Sequence, residues 1–383
     1  MTAESVYLDY AATAAIRPSE VVDAVTGYLT GIGATPGRGG HRRAIEAGRV
    51  ALRCRGALAR LFNLPGDPGR LAFAANATHA LNTALRGVLR RGDAVVVTVY
   101  DHNAVLRPAT LLSRERDVEV RVLGGAPDGS IDLDEVARKV EGARLLVVNA
   151  ASNVLGTTLP VAELSRVAHA AGALVLVDAA QAAGHLPIDV QAQGIDLLAF
   201  TGHKGLLGPQ GTGGLWVREG VEVEPLIVGG TGGDSSARSM PESFPDRLEA
   251  GTLNGPGIAG LLAGVSWIAE RTVEEIHARE AELKARLYEG LASIRGVRVV
   301  SPPAPDGVPI VTITARGMTA ATLARRLDRE HGILTRAGLH CAPEVHRLIG
   351  TDRTGAVRFS LGWATTDEDV RRAVEAVEAV VTS

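Results

Sequence analysis

The amino-acid sequence predicts an α/β protein built on a mostly parallel sheet. Three observations carry this. Short apolar runs recur at 71–73, 94–99, 118–122, 145–149, 174–177, 197–201 and 214–217. Amphipathic segments at 77–89, 103–113, 132–140 and 161–171 separate most of them. Apart from 118–122, where Glu119 and Arg121 alternate with Val118, Val120 and Val122, the runs are almost wholly apolar, which is the pattern of strands covered on both faces. Ligands of such sheets bind beyond the carboxyl ends of the strands.

Taken in order, the chain opens with an extended lead-in and a short strand within 5–16. Pro18-Ser19-Glu20 starts a helix that sets Val21, Val22, Val25 and Leu29 at helical spacing. A glycine-rich loop over 31–40 ends in Arg38-Gly39-Gly40-His41, and a long helix over 43–62 carries Cys54. The seven apolar runs then supply the seven strands. Residues 228–251 are rich in Gly, Ser and Pro without periodicity, a long loop of the kind compact domains keep for function. One long helix is predicted over 257–294. Beyond it, strands at 297–300, 310–313 and 357–360 and helices at 319–331 and 367–381 make a smaller α+β domain. A chain of 383 residues is too long for one small domain. The expected division is a large domain over 15–260 and a small C-terminal one over 261–383, which the N-terminal segment 1–14 joins.

Composition narrows the function classes. A net charge of −3 gives no general attraction to nucleic acid or to an anionic membrane, and 3% aromatic residues are too few for base-stacking surfaces. No apolar run approaches the ~20 residues of a membrane span. The first residues lack a basic stretch followed by an apolar core, so no secretory signal is expected. Two cysteines, Cys54 and Cys341, do not make a disulfide framework, and a reducing cytoplasm is the expected setting.

Only three of the forty basic residues are lysine: Lys139, Lys204 and Lys284. Lys139 and Lys284 lie in charged segments and read as solvated helix faces. Lys204 follows the apolar run 195–200 and is framed by glycines. Arginine keeps its proton in a protein, whereas a desolvated lysine can lose it and attack a carbonyl. Asp178 ends the run Leu174-Val175-Leu176-Val177, on the ligand side of the sheet, with Gln181 three residues on. A strand-end acid beside such a lysine suits pyridoxal phosphate, whose ring nitrogen needs an acid partner. Ala75-Asn76-Ala77-Thr78 precedes a helix and offers N–H groups to a phosphate, with Thr201 and His203 nearby. His102, after the strand at 94–99, is placed to stack on a ring. Read singly, Asp178 is equally a helix N-cap, and His102 an ordinary loop histidine.

Six segments in order carry a resemblance that covers nearly the whole chain: Tyr7-Leu8-Asp9-Tyr10-Ala11-Ala12-Thr13, Ser152-Asn153-Val154-Leu155-Gly156, Asp178-Ala179-Ala180-Gln181, Thr201-Gly202-His203-Lys204, Glu249-Ala250-Gly251-Thr252 and Arg336-Ala337-Gly338-Leu339-His340-Cys341-Ala342. Together they resemble the class V aminotransferase family, and within it the cysteine desulfurase and selenocysteine lyase branch. The resemblance implies a fold type I pyridoxal 5'-phosphate enzyme, normally a homodimer with sites at the subunit interface. It implies that Lys204 holds the cofactor, that Asp178 pairs with the ring nitrogen and Gln181 with the ring hydroxyl, and that His102 stacks on the ring. Ala77, Thr78, Thr201 and His203 would hold the phosphate, and Thr252 would reach the phosphate of the other subunit. Asn153 and Arg358 would grip the substrate carboxylate, with Arg336 and Arg38 also among the substrate-binding groups.

Cys341 narrows the reaction. It lies in a short polar loop with Arg336, His340 and His346 close by, and nearby positive charge favours the reactive thiolate. Cys54, among Val50, Ala51, Leu58 and Leu61, reads as a small core residue. His340, Cys341 and His346 have an uncommon spacing for a metal set, and no metal is expected. The expected activity is therefore conversion of L-cysteine to L-alanine, with sulfur passing to Cys341 as a persulfide and then to an acceptor such as a protein. The alternatives are a carbon–sulfur β-lyase, for which Cys341 is dispensable, and a selenocysteine lyase.

Overall fold

The computed structural model describes residues 5–37, 39–232, 236–303 and 307–383. Strand β1 (Val6–Tyr7) is followed by helices α1 (Ser19–Gly27) and α2 (Arg42–Leu61). The alternation then runs β2 (Leu71–Ala74), α3 (Ala77–Val88), β3 (Ala94–Thr98), α4 (Asn103–Arg116), β4 (Glu119–Leu123), α5 (Leu133–Val140), β5 (Leu145–Asn149), α6 (Val161–Ala170), β6 (Leu174–Asp178), β7 (Leu197–Thr201) and β8 (Gly213–Val217). Strands β2 to β8 form one seven-stranded sheet, ordered β2-β8-β7-β6-β5-β3-β4. Its neighbours are parallel except for β8, which is antiparallel to both β7 and β2.

The unbroken apolar strands follow from burial on both faces. Leu146, Val148, Val175, Val177 and Phe200 join a core with α2, α5, α6 and the first helix after the loop. Leu145, Val147, Leu176, Leu197 and Ala199 point the other way, onto α3 and α4. Each such side chain contributes roughly 1.5–3 kcal/mol of transfer free energy. After β3 the chain goes to β4 on one side, then returns to β5 on the other. The carboxyl ends of β3 and β5 are therefore the topological switch point, where a ligand crevice opens.

The predicted single helix over 257–294 is two helices, α7 (Gly255–Arg271) and α8 (Val273–Ser293). Thr272 breaks it with φ 65° and ψ 148°, and its hydroxyl accepts the Glu275 N–H at 3.2 Å to cap α8. The remaining elements are β9 (Val297–Val299), β10 (Ile310–Ala315), α9 (Ala320–His331), β11 (Ile333–Leu334), β12 (Arg336–Gly338), α10 (Pro343–Leu348), β13 (Ala356–Ser360) and α11 (Asp367–Thr382). An antiparallel sheet ordered β12-β13-β10-β9 packs Val311, Ile313, Val357 and Phe359 against α8, α9 and α11. Because side chains alternate along a strand, Arg358 points the opposite way, toward the larger sheet. β1 pairs in parallel with β11.

Lys284, expected on a solvated face, is only 3% exposed. Its stem lies in a groove with Tyr288 and Pro302. The described part of 228–251 holds neither helix nor strand. No helix among the described residues is long and apolar enough to cross a membrane.

Candidate active site

A cavity of about 200 Å³ opens at the carboxyl ends of β3, β5, β6 and β7. Ala77, Thr78, His102, Asn153, Asp178, Gln181, Thr201, His203 and Lys204, nine of the residues singled out in the sequence, line it together. On one wall is the start of α3. Asn76 caps the helix, its Oδ1 accepting the His79 N–H at 2.9 Å. The first-turn N–H groups of Ala77 and Thr78 have no acceptor within the helix and stand at its positive end. Thr78 is exposed, with its hydroxyl available beside them.

Lys204 stands in the turn after β7. A Cβ at Gly202 would run into the Thr212 hydroxyl, and one at Gly205 into the Ala183 carbonyl, so glycine on both sides lets the turn press close. Burial pulls the Lys204 amine down to about 8, against Asp178, which favours its charged form; Arg358 and Arg336 lower it further. Asp178 is 3% exposed, and burial raises its carboxyl, although the Ala180 N–H at 2.9 Å and Lys204 both favour the anion. The anion is the form we assign, because it faces a cation across the cavity.

The two imidazoles are neutral. Burial and Lys204 push both His102 and His203 down to about 4. His102 Nδ1 accepts the Ala104 N–H at 3.0 Å and so caps α4. Its proton therefore sits on Nε2, which acts as a donor. His203 Nδ1 lies 3.1 Å from the Thr13 hydroxyl, whose Oγ1 also donates to the His203 carbonyl at 3.1 Å. Gln181 Nε2 donates to the Ala11 carbonyl at 3.1 Å, tying the lead-in to the cavity floor.

Cys341 is exposed, in a loop anchored to this cavity at two points. Its carbonyl accepts the Asn103 N–H at 2.8 Å, one residue after His102. The His340 carbonyl accepts from Asn153 Nδ2 at 2.7 Å. Arg336 Nη2 lies 3.8 Å from the thiol sulfur. His340 and Cys341 have φ of 49° and 58°, two consecutive left-handed residues without glycine. Each costs on the order of 1–3 kcal/mol, so the surrounding contacts must impose the shape. Cys54 is fully buried in α2, its thiol pushed up to about 12 by burial.

Arg358 and Arg336 do not line the cavity. Arg358 is fully buried behind it, donating from Nη2 to Asp9 Oδ1 at 2.7 Å and from Nη1 to the Asn153 carbonyl at 3.0 Å; its Nε has no partner among the described residues. Thr252 is exposed and away from the cavity. Arg38 lies outside the described residues.

Sequence reasoning missed four residues. Asn149 lines the cavity and pairs in register with Asp178; a polar residue closing an apolar strand was the available signal. Asp9 pairs with Arg358, and Thr13 holds His203. Asp101 is fully buried, accepting the Thr98 N–H at 2.6 Å on Oδ2, with Oδ1 unpartnered among the described residues. Burial pushes its carboxyl up to about 8.

The fold agrees with the comparisons to known proteins. The Aminotransferase class-V family profile matches residues 6–373, and the chain belongs to that family. A probable cysteine desulfurase of Methanothermobacter thermautotrophicus is 36% identical, covering 98% of this chain and 95% of its own. A cysteine desulfurase of Haloferax volcanii is 31% identical, covering 99% and 90%. Among solved structures, the apo cysteine desulfurase of Thermococcus onnurineus superposes with a TM-score of 0.92 at 33% identity, covering 99% of this chain and 95% of that one. The cysteine desulfurase CsdA of Escherichia coli gives 0.89 at 29%, with the same coverage.

Proposed function

We propose that the protein is a pyridoxal 5'-phosphate-dependent cysteine desulfurase that moves the sulfur of L-cysteine to Cys341 and releases L-alanine. The observation that carries this reading is the tether of the exposed Cys341 loop to Asn103 and Asn153, at the mouth of the Lys204 cavity. A lysine cavity alone serves many reactions; a thiol fixed at its edge serves sulfur transfer.

The donor set fits the cofactor. Thr78, Thr201, His203 and the N-terminus of α3 suit its phosphate, Asp178 its ring nitrogen and Gln181 its ring hydroxyl. When bound, the cofactor supplies an electron sink for the pair released at the substrate Cα. The Lys204 amine, already lowered toward neutrality, takes the Cα proton. His102 would stack on the ring and offer a proton from Nε2. The Cys341 thiolate attacks the substrate sulfur; a sulfur–sulfur bond forms as the substrate carbon–sulfur bond breaks. The substrate carbon then takes a proton, and alanine leaves. Arg358 donates to the Asn153 carbonyl from behind the cavity and so supports the side of the site where Asn153 would bind the carboxylate. Exposed Thr252 is assigned to a second subunit's phosphate site, which makes the working unit a dimer.

The test is one turnover with L-cysteine, measuring alanine, pyruvate and protein-bound persulfide together. One alanine and one persulfide per site are expected. Cys341→Ala should lower alanine formation at least 100-fold while leaving the visible absorbance of the bound cofactor unchanged. Pyruvate as the product, or full activity in Cys341→Ala, sinks the assignment in favour of a β-lyase.

A further inference from the structure

The Cys341 loop has an inner support that the reaction does not touch. His340 Nε2 lies 3.1 Å from the Arg336 carbonyl, His340 Nδ1 lies 3.1 Å from His346 Nε2, and His346 Nδ1 lies 2.7 Å from the Thr351 hydroxyl. The two rings stack at 5.3 Å between centroids, 27° apart. All three side chains are buried: His340 at 3%, His346 at 0% and Thr351 at 2% exposure.

The direction of this chain follows from one group. A carbonyl oxygen can only accept, so His340 Nε2 carries the hydrogen. Burial keeps both imidazoles neutral, with His340 held down to about 3 and His346 to about 4. A neutral ring has one N–H, so His340 Nδ1 is a lone pair and His346 Nε2 must donate to it. His346 Nδ1 is then a lone pair as well, and the Thr351 hydroxyl donates. Reversal at any link would set two lone pairs or two N–H groups face to face in a dry interior.

Resting on the desulfurase reading above, we propose that His346 is a positioning residue for the nucleophile: through His340 it locks the left-handed His340–Cys341 pair and holds the thiol beside Arg336. Both ends of the relay bear on the same place. His340 immediately precedes Cys341, and the Arg336 carbonyl belongs to the residue whose guanidinium stands 3.8 Å from the sulfur. Asn103 and Asn153 fix only the backbone carbonyls of this turn. Without the relay the His340 ring is free to leave, and the turn relaxes out of a conformation that non-glycine residues disfavour. His346 lies outside the cavity lining and touches no reacting atom.

The test uses the cofactor-loaded enzyme and separates thiol chemistry from lysine chemistry. His346→Phe keeps a ring of similar volume and deletes both nitrogens. Persulfide formation in one turnover should fall tenfold or more, and alkylation of Cys341 by iodoacetamide should change at least threefold; buried Cys54 does not compete. Exchange of the L-alanine Cα proton into deuterium oxide, which needs Lys204 but no thiol, should stay within twofold of wild type. Thr351→Val removes only the terminal hydroxyl and should give a smaller loss of the same kind, restored by Thr351→Ser. If His346→Phe does not fold, the threonine pair decides alone. Wild-type persulfide formation and alkylation in these variants overturn the proposal, as does a parallel fall in alanine exchange, which marks general structural damage. A wild-type enzyme that forms no Cys341 persulfide instead overturns the desulfurase reading and leaves the alkylation arm to judge the relay.

Discussion

A lysine that works as an amine must give up its proton, and Lys204 is placed to do so. Desolvation at the end of β7 outweighs the pull of Asp178, and Arg358 and Arg336 add repulsion. The lysine of the cofactor-free protein therefore becomes nucleophilic through about pH 8 rather than the ordinary 10.5. The rate of pyridoxal phosphate capture, followed by the growth of visible absorbance, should rise about tenfold per pH unit below that midpoint and level off above it. A rate that stays flat from pH 6.5 to 9 contradicts the geometry. Lys204 and Asp178 were legible because each stands at the end of an apolar strand that must close at the ligand edge, whereas Asn153 was reached only through the family resemblance. Asp9 and Asp101 were not legible, since their importance lies in burial and in partners far along the chain. Lys284 misled because its neighbours Glu282 and Arg286 are charged, while α8 turns its own side inward.

At the scale of elements, all seven strands of the large sheet were readable: six because burial on both faces leaves an apolar run, and edge strand β4 because its valines alternate with Glu119 and Arg121. The break at Thr272 was not, because apolar spacing continues across it and neither glycine nor proline marks it. β11, β12 and α10, of two, three and six residues, are too short to show a period. The long loop before α7 is fastened by a buried ion pair that no local pattern reveals. Arg55 of α2 binds Glu249, three residues before Thr252, and stands 4.4 Å over the Phe73 ring. Arg55 Nε also donates to the Leu71 carbonyl at 2.9 Å, while Glu249 accepts the Phe73 N–H, so edge strand β2 holds both partners. Glu249→Ala strands a buried guanidinium and should cost about 3–5 kcal/mol in urea unfolding. Replacing both partners with apolar residues, Arg55→Met with Glu249→Leu, should recover most of that loss. A single-variant cost below ~1 kcal/mol would show that the pair does not secure this loop.

For the whole molecule, the buried titratable groups set an acid limit. His102, His203, His340 and His346 are all depressed from 6.5, to about 4, 4, 3 and 4, with burial the first cause of each. The unfolded chain protonates them near 6.5 and the folded chain does not, so it is the unfolded state that takes up protons on acidification. Their stabilising contribution is complete above pH 6.5 and is lost as pH falls toward 4. Buried acids oppose this, but unequally. Burial raises Asp178 and Glu249, though Lys204 and Arg55 favour their anions; Asp101, pushed up to about 8, has no cation beside it and opposes most strongly. Four strongly depressed imidazoles, with His79 lowered by burial as well, then outweigh the buried carboxyls. His102 and His203 are partly open to solvent and count for less, leaving an expected loss of about 2–4 kcal/mol between pH 6.5 and 5. Thermal unfolding of the cofactor-free protein should show a lower Tm at pH 5 than at pH 7. Asp101→Asn removes the strongest opposing group and should steepen the decline. An unchanged Tm across this range, or a shallower slope in Asp101→Asn, would mean that the imidazoles are charged in the folded protein, and the one-way relay behind Cys341 could not then exist as drawn.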